Sequence, residues 1–183
     1  MSRPRINKKI PKEIAKGLKS TDFKFYVDEN KILSDTDGPN DVCYLLFKPE
    51  DGPYKNQTPV LRFQWRYGNK HTSYEYPDDP PNIKFMTPIL HSNIGVEGSI
   101  CLDVLKKGNY DGCKYSPMYG VEAFYQSIIG LLLCPHPGSP LNAEAAKVYN
   151  KQGKSDDYNV VLDDYYNRKV EGSRKYIETL QNH

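Results

Sequence analysis

Residues 76–102 read YPDDPPNIKFMTPILHSNIGVEGSICL, and this stretch decides the fold. Its first six residues include three prolines, which lack the backbone hydrogen-bond donor that a strand inside a sheet needs. The apolar segment Ile83–Met86 predicts a short strand directly after them. From Thr87 to about Lys114 the residues show no helical spacing. A loop of that length in a compact domain is typical of a functional segment.

The residues before this stretch predict a helix and three strands. Pro11 fits the first turn of a helix that runs to about Lys19, with Ile14 and Leu18 facing the core. Turn clusters such as DGPN at 37–40 separate three apolar segments that predict strands, namely Phe23–Val27, Val42–Phe47 and Val60–Trp65. Three strands at this spacing favour an antiparallel meander, which the short strand at Ile83 follows.

The residues after this stretch predict helices. A buried helix begins soon after Ser116 and Pro117, because apolar residues then step by three and four at Val121, Phe124, Ile128 and Leu132. The tail from about Asp156 to Leu180 has the amphipathic spacing of one or two more helices. The order of elements predicts an α+β protein, with a basic arm at residues 1–10 and a single domain at residues 11–183.

Composition excludes several classes of protein. The chain has 183 residues, of which 38% are hydrophobic and 26% charged, as in a soluble globular domain. Its longest apolar run, residues 128–134, is too short to cross a bilayer, and its N-terminus lacks the apolar core of a secretory signal. We therefore expect a protein of the cytoplasm or nucleus. The basic residues at 3–19 favour a solvated arm over a nucleic-acid site.

The four cysteines form no CxxC pair and no zinc spacing, so no metal site is expected. Cys43 and Cys134 stand in apolar runs and are expected to be buried structural residues. Cys113 is expected to be an exposed loop thiol without a partner. Cys101 differs from these three because it stands in the long irregular segment, just after Gly98.

His91 and Asn93 closely precede Cys101. From the residue types alone, this grouping fits a nucleophilic thiol, as in a cysteine hydrolase that pairs Cys101 with His91. It is equally compatible with three residues that have no catalytic role. The motifs on both sides of Cys101 distinguish between these alternatives.

The chain resembles the ubiquitin-conjugating (E2) enzyme family from about residue 51 to residue 149. The family pattern is Tyr-Pro, two variable residues, Pro-Pro, a strand, His-Pro-Asn, and then a catalytic cysteine eight residues after the asparagine. Trp-Ser-Pro, an apolar helix and Pro-x-Pro-x-x-Pro-Leu follow. Here Asn93 and Cys101 are eight residues apart, and residues 115–141 read YSPMYGVEAFYQSIIGLLLCPHPGSPL. Ser92 replaces the proline, and Tyr115 the tryptophan.

The resemblance implies the ubiquitin-conjugating (UBC) fold, with an N-terminal helix, a four-stranded meander and C-terminal helices. It implies that Cys101 accepts ubiquitin, or a ubiquitin-like protein, as a thioester from an E1 activating enzyme. The modifier then passes to a lysine of a substrate protein, usually with an E3 ligase. The chain needs no cofactor, because the E1 uses the ATP. Asn93 would stabilise the oxyanion or hold the loop that does, and His91 would brace that loop.

Two departures from the family pattern affect its expected properties. Ser139 replaces an aspartate that helps to orient or deprotonate the incoming lysine, so transfer is expected to be slow, to need a partner, or to depend on phosphorylation of Ser139. Asp103 is the nearest acid that could share this role, and it could equally be a carboxylate that orders the loop. Asp78 replaces a phenylalanine that packs against ligases, whereas the second ligase-binding loop is retained in Ser116, Pro117 and Met118.

One reading from a different functional class stays open. A catalytically weak or inactive variant would bind ubiquitin as an adapter. Such variants usually lack the cysteine, so Cys101 opposes this alternative, whereas Ser92 and Ser139 keep it open.

Overall fold

The computed structural model describes residues 9–21, 23–27, 42–46, 49, 54–55, 57–68, 73–108 and 110–152. The helices of this part are α1 (Lys9–Lys19), α2 (Val121–Leu133) and α3 (Ala143–Gln152). Its strands are β1 (Lys24–Val27), β2 (Val42–Leu46), β3 (Val60–Gln64), β4 (Arg66–Gly68), β5 (Ser73–Glu75) and β6 (Asn82–Phe85). Most of the predicted basic arm and the predicted tail helices lie outside the described residues.

Four strands form one antiparallel sheet in the order β1-β2-β3-β6. Its core face is continuous across the register, since Cys43 pairs with Phe63 and Phe63 with Ile83, and all three are buried. The predicted four-stranded meander is therefore confirmed. The strands β4 and β5 form a separate hairpin between β3 and β6, which the sequence did not predict. Strands of three residues are too short to show an alternating pattern.

The helix α1 begins at Lys9, two residues before the predicted start, and Pro11 lies in its first turn. Its buried side is the stripe of residues 10, 13, 14 and 17, as expected for steps of three and four. The prediction that Leu18 faces the core is wrong, because Leu18 lies at the edge of this stripe and is 53% exposed.

Aromatic side chains pack α2 against the sheet. The ring centroid of Tyr76 lies 5.1 Å from that of Trp65 and 6.3 Å from that of Phe124, and all three side chains are buried. The peptide bond between Tyr76 and Pro77 is cis. No helix among the described residues is long and apolar enough to cross a membrane.

The described residues from Thr87 to Lys114 are irregular, as predicted, apart from one turn of 3₁₀-helix at Asp103–Leu105. Only glycine fits at position 98 of this segment. The φ angle of Gly98 is 84°, and a Cβ atom at this position would lie 1.9 Å from the carbonyl oxygen of Phe85. Isolated bridges from Lys84 to Ser99 and from Ile94 to Ile100 then lead the chain to position 101.

Candidate active site

Cys101 lies on the partly exposed rim of the irregular segment. Its backbone N–H donates a hydrogen bond of 2.9 Å to the carbonyl of Asn93. The backbone of Cys101 is thereby tied to the turn at residues 91–93, and the residue is partly exposed to solvent. A thiol at such a place can be reached by the end of another polypeptide.

Of the other three cysteines, one has the environment that the sequence predicted and two do not. Cys43 is buried as predicted, and the indole N–H of Trp65 points at its sulfur at 3.2 Å. The prediction that Cys134 is buried is wrong, because α2 ends at Leu133 and Cys134, its C-cap, is exposed. Cys113 is only partly exposed and has a partner, since its hydrogen bond with the Tyr110 hydroxyl raises the pKa of that tyrosine.

His91 is fully buried and bonded on both ring nitrogens. The backbone N–H of Asn93 donates to Nδ1 at 3.0 Å, and Nε2 lies 3.0 Å from the carbonyl of Leu131. A carbonyl only accepts, so Nε2 carries the proton and the ring is neutral. Burial lowers the pKa of His91 to about 4. The ring therefore braces the turn against α2 and is not placed to take a proton from Cys101.

The side-chain amide of Asn93 holds the loop that follows α2. Its Nδ2 donates to the carbonyl of His136 at 3.0 Å, and its Oδ1 accepts from the backbone N–H of His136 at 2.7 Å. The hydroxyl of Ser92 adds a third bond by donating to the same Oδ1 at 3.1 Å. The carbonyl of Ser92 accepts from the backbone N–H groups of Leu141 and Asn142. Residues 92 and 93 thus fasten both ends of the loop 134–142.

Asp103 is engaged by two lysines. Its Oδ1 lies 3.3 Å from Nζ of Lys106, and its Oδ2 lies 3.6 Å from Nζ of Lys114. Partial burial by itself would lower the pKa of Lys106, but the hydrogen bond with Asp103 and the proximity of Cys101 raise it. An ammonium group therefore stands beside both the thiol and the carboxylate.

Ser139 lies exposed in the turn at residues 137–139. The chain is tied to Asn93 three residues earlier, at His136. Hydrogen bonds through Asn93 therefore connect Cys101 to the loop that contains Ser139.

The residues predicted to bind a ligase lie on two adjacent loops. Asp78 is exposed on the first loop, and on the second Pro117 and Met118 are exposed, Met118 to 88%, while Ser116 is partly buried. The hydroxyl of Tyr115 connects the loops, since it donates to the carbonyls of residues 77 and 79 at 2.7 and 3.1 Å.

Side chains of the helix α1 form hydrogen bonds with the backbone of the loop at residues 116–121. The ammonium group of Lys9 donates to the carbonyls of Pro117 and Tyr119. The carboxylate of Glu13, which is 4% exposed, accepts from the backbone N–H of Val121 at 2.9 Å. Neither Glu13 nor His136 was predicted from the sequence as a functional residue. A single acid within a helical stripe of buried residues is a signal that could have identified Glu13.

The chain is similar to known ubiquitin-conjugating proteins. A sequence model described as ubiquitin-conjugating enzyme matches residues 10–165. Ubiquitin-conjugating enzyme E2 3 of Arabidopsis thaliana is 37% identical over 126 residues, which are 69% of this chain and 69% of that protein. Ubiquitin-conjugating enzyme E2 1 of Caenorhabditis elegans is 36% identical over 107 residues, 58% of this chain and 49% of that protein.

A solved structure supports the fold. The structure titled S. cerevisiae Ubc12 matches with a TM-score of 0.62 and 20% identity, and the match covers 88% of this chain and 78% of that one. Together with the helices and the antiparallel sheet, it confirms the predicted α+β UBC fold.

Proposed function

The chain belongs to the ubiquitin-conjugating enzyme family, and from that membership we propose that it carries ubiquitin or a ubiquitin-like protein as a thioester on Cys101. The observation that best supports this proposal is the position of Cys101 in the structure. The residue is partly exposed on an irregular loop, and its backbone N–H donates a hydrogen bond to the carbonyl of Asn93. A nucleophile held in this way is both accessible and positioned.

The reaction we propose has two acyl transfers. The thiolate of Cys101 first attacks the thioester carbonyl of the modifier on the E1, a carbon–sulfur bond forms, and the thiol of the E1 leaves. A lysine amine of the substrate protein then attacks the new thioester. A carbon–nitrogen bond forms, and Cys101 leaves as the thiolate. Neither step needs a cofactor on this chain, because ATP is consumed earlier, on the E1.

Within this proposal, the surrounding residues position the reacting atoms. Asn93 fastens the loop 134–142 through the backbone of His136, and this hydrogen bonding favours the loop-holding role for its side chain. His91 fixes the turn that presents Asn93. Asp103 orders the segment after Cys101 through its two lysine contacts.

We propose the adjacent loops of Asp78 and of Ser116, Pro117 and Met118 as the ligase-binding surface. Met118 is the exposed apolar side chain of this surface, and such side chains often dominate binding. Since Asp78 offers a charge where the family has an aromatic ring, we expect the ligase to contribute a basic or polar contact there. Cytoplasm and nucleus remain our proposed locations.

Thioester formation is testable on a non-reducing gel. The protein is incubated with an E1, ATP and a panel of ubiquitin-like modifiers, alongside Cys101→Ala and the control Cys113→Ala. We expect an adduct that is sensitive to reducing agent, lost in Cys101→Ala and retained in Cys113→Ala. If no modifier forms an adduct but ubiquitin still binds, the protein is an adapter and the proposal is wrong.

A further inference from the structure

We propose that the imidazole of His136 accepts the proton of the incoming amine when the thioester on Cys101 is attacked. This inference rests on the proposed function and identifies the base of its second step. When an amine attacks a thioester, the nitrogen becomes positively charged. It must lose a proton before the carbon–sulfur bond breaks in favour of the amide.

The other candidates for this base are unsuitable. Ser139 offers a hydroxyl, which is a poor proton acceptor at neutral pH. Asp103 offers a carboxylate, but its two oxygens are already paired with the ammonium groups of Lys106 and Lys114 at 3.3 and 3.6 Å. An incoming amine would have to displace one of these lysines before it could use Asp103.

Three hydrogen bonds connect His136 to Cys101 through Asn93. Two of them join its backbone N–H and carbonyl to the side chain of Asn93, at 2.7 and 3.0 Å. The third joins the carbonyl of Asn93 to the backbone N–H of Cys101, at 2.9 Å. Prolines at positions 135 and 137 restrict the backbone on each side of His136. The residue is thereby held on the rim of the site.

The tautomer of His136 suits a base. Nδ1 lies 3.0 Å from the carbonyl of Cys134, and because a carbonyl only accepts, Nδ1 must carry the proton. In the neutral ring the free electron pair is then on Nε2. His136 is exposed, so its side chain lies where a group can approach from solvent. His91, in contrast, has both ring nitrogens engaged inside the protein.

The proposed step balances as follows. The neutral amine attacks the thioester carbon, which gives a tetrahedral intermediate with a positive nitrogen and a negative oxygen. The nitrogen transfers one proton to Nε2 of His136. The carbonyl then re-forms, Cys101 leaves as the thiolate, and the imidazolium releases its proton to the thiolate or to water.

The test uses discharge of a preformed thioester, so that the rate of loading does not enter. Thioester prepared with the full chain is separated from the E1 and ATP and mixed with free lysine. We expect discharge to be about tenfold slower or more in His136→Ala than in the parent protein. The fold should persist, because Asn93 binds the backbone of residue 136 and not its ring.

Two further measurements separate a base from a structural residue. Added imidazole should restore most of the rate in His136→Ala and change the parent little. Ser139→Asp in the His136→Ala background should also restore the rate, by supplying a carboxylate on the same loop. Parent-like discharge in His136→Ala, or slow discharge that neither measure restores, would overturn the inference alone. Failure of every modifier to form a thioester would overturn the proposed function as well.

Discussion

Replacement of Glu13 should destabilise the protein, although the residue lies far in sequence from Cys101. The carboxylate is 4% exposed and accepts from the backbone N–H of Val121 at 2.9 Å. Val121 is the first residue of α2, and the N-cap residue Gly120 has no side chain to satisfy that N–H. Glu13 therefore caps α2 from another helix, 108 positions away.

The expected magnitude follows from two effects. Glu13→Ala leaves a buried N–H without its acceptor, which costs about 1–3 kcal/mol. It also removes a negative charge from a helix N-terminus, which contributes about 0.3–1 kcal/mol. Together these effects give an expected loss of about 1.3–4 kcal/mol in the free energy of unfolding. Glu13→Gln keeps an acceptor and loses the charge, so about 1 kcal/mol is expected.

The assay is equilibrium unfolding in urea, with Lys16→Ala as the matched control. Lys16 contacts the same carboxylate at 3.2 Å, but its side chain is 63% exposed, so its loss should cost less than about 0.5 kcal/mol. If Glu13→Ala costs no more than Lys16→Ala, the reasoning is refuted. In the parent protein the amide of Val121 should exchange slowly with solvent, and in Glu13→Ala faster.

Three further predictions concern the turn and the loop around the site. Gly98→Ala should lower the free energy of unfolding in urea by about 3 kcal/mol, because the new Cβ atom would lie 1.9 Å from a carbonyl oxygen and φ is 84°. The control Gly138→Ala should change this free energy little, because no atom lies within 4 Å of its new Cβ. Equal effects of the two variants would contradict the prediction. The pKa of His91 is lowered by burial to about 4, so below pH 6.5 the unfolded chain binds a proton that the folded chain does not. The free energy of unfolding should then fall by up to about 1.4 kcal/mol per pH unit towards pH 4, and the slope should be shallower in His91→Gln. Ser92→Ala should cost about 0.5–1.5 kcal/mol through the lost bond to Asn93, and an unchanged unfolding midpoint would show that the hydroxyl does not hold the amide.

Local patterns predicted the main elements of the fold. The steps of three and four from Val121 to Leu132 predicted α2, and the apolar segments between turn clusters predicted the sheet strands. These predictions succeeded because each element buries one face, and burial imposes a period on the sequence. Leu18 and Cys134 were misjudged because each lies at the edge or the end of a helix, where the period no longer determines burial.

The arrangement of the site was less predictable, because its hydrogen bonds join distant residues. Motif spacing predicted Cys101, Asn93 and His91 as site residues, and all three stand within one short stretch. It did not reveal that the amide of Asn93 binds the backbone of His136, since a backbone bond leaves no signature in the partner's side chain. The same holds for Glu13, whose acceptor role depends on how α1 and α2 pack.

The central claim, a thioester on Cys101, is tested most directly by the chemical nature of the adduct in Cys101→Ser. An oxygen ester resists thiol reagents, whereas a thioester does not, so the two are distinguished by intact mass after treatment with reducing agent. We predict that the parent adduct is cleaved, that the Cys101→Ser adduct survives, and that peptide mapping places the modifier on residue 101. A reducible adduct that persists in Cys101→Ser would contradict the claim, because the modifier would then be carried by another cysteine.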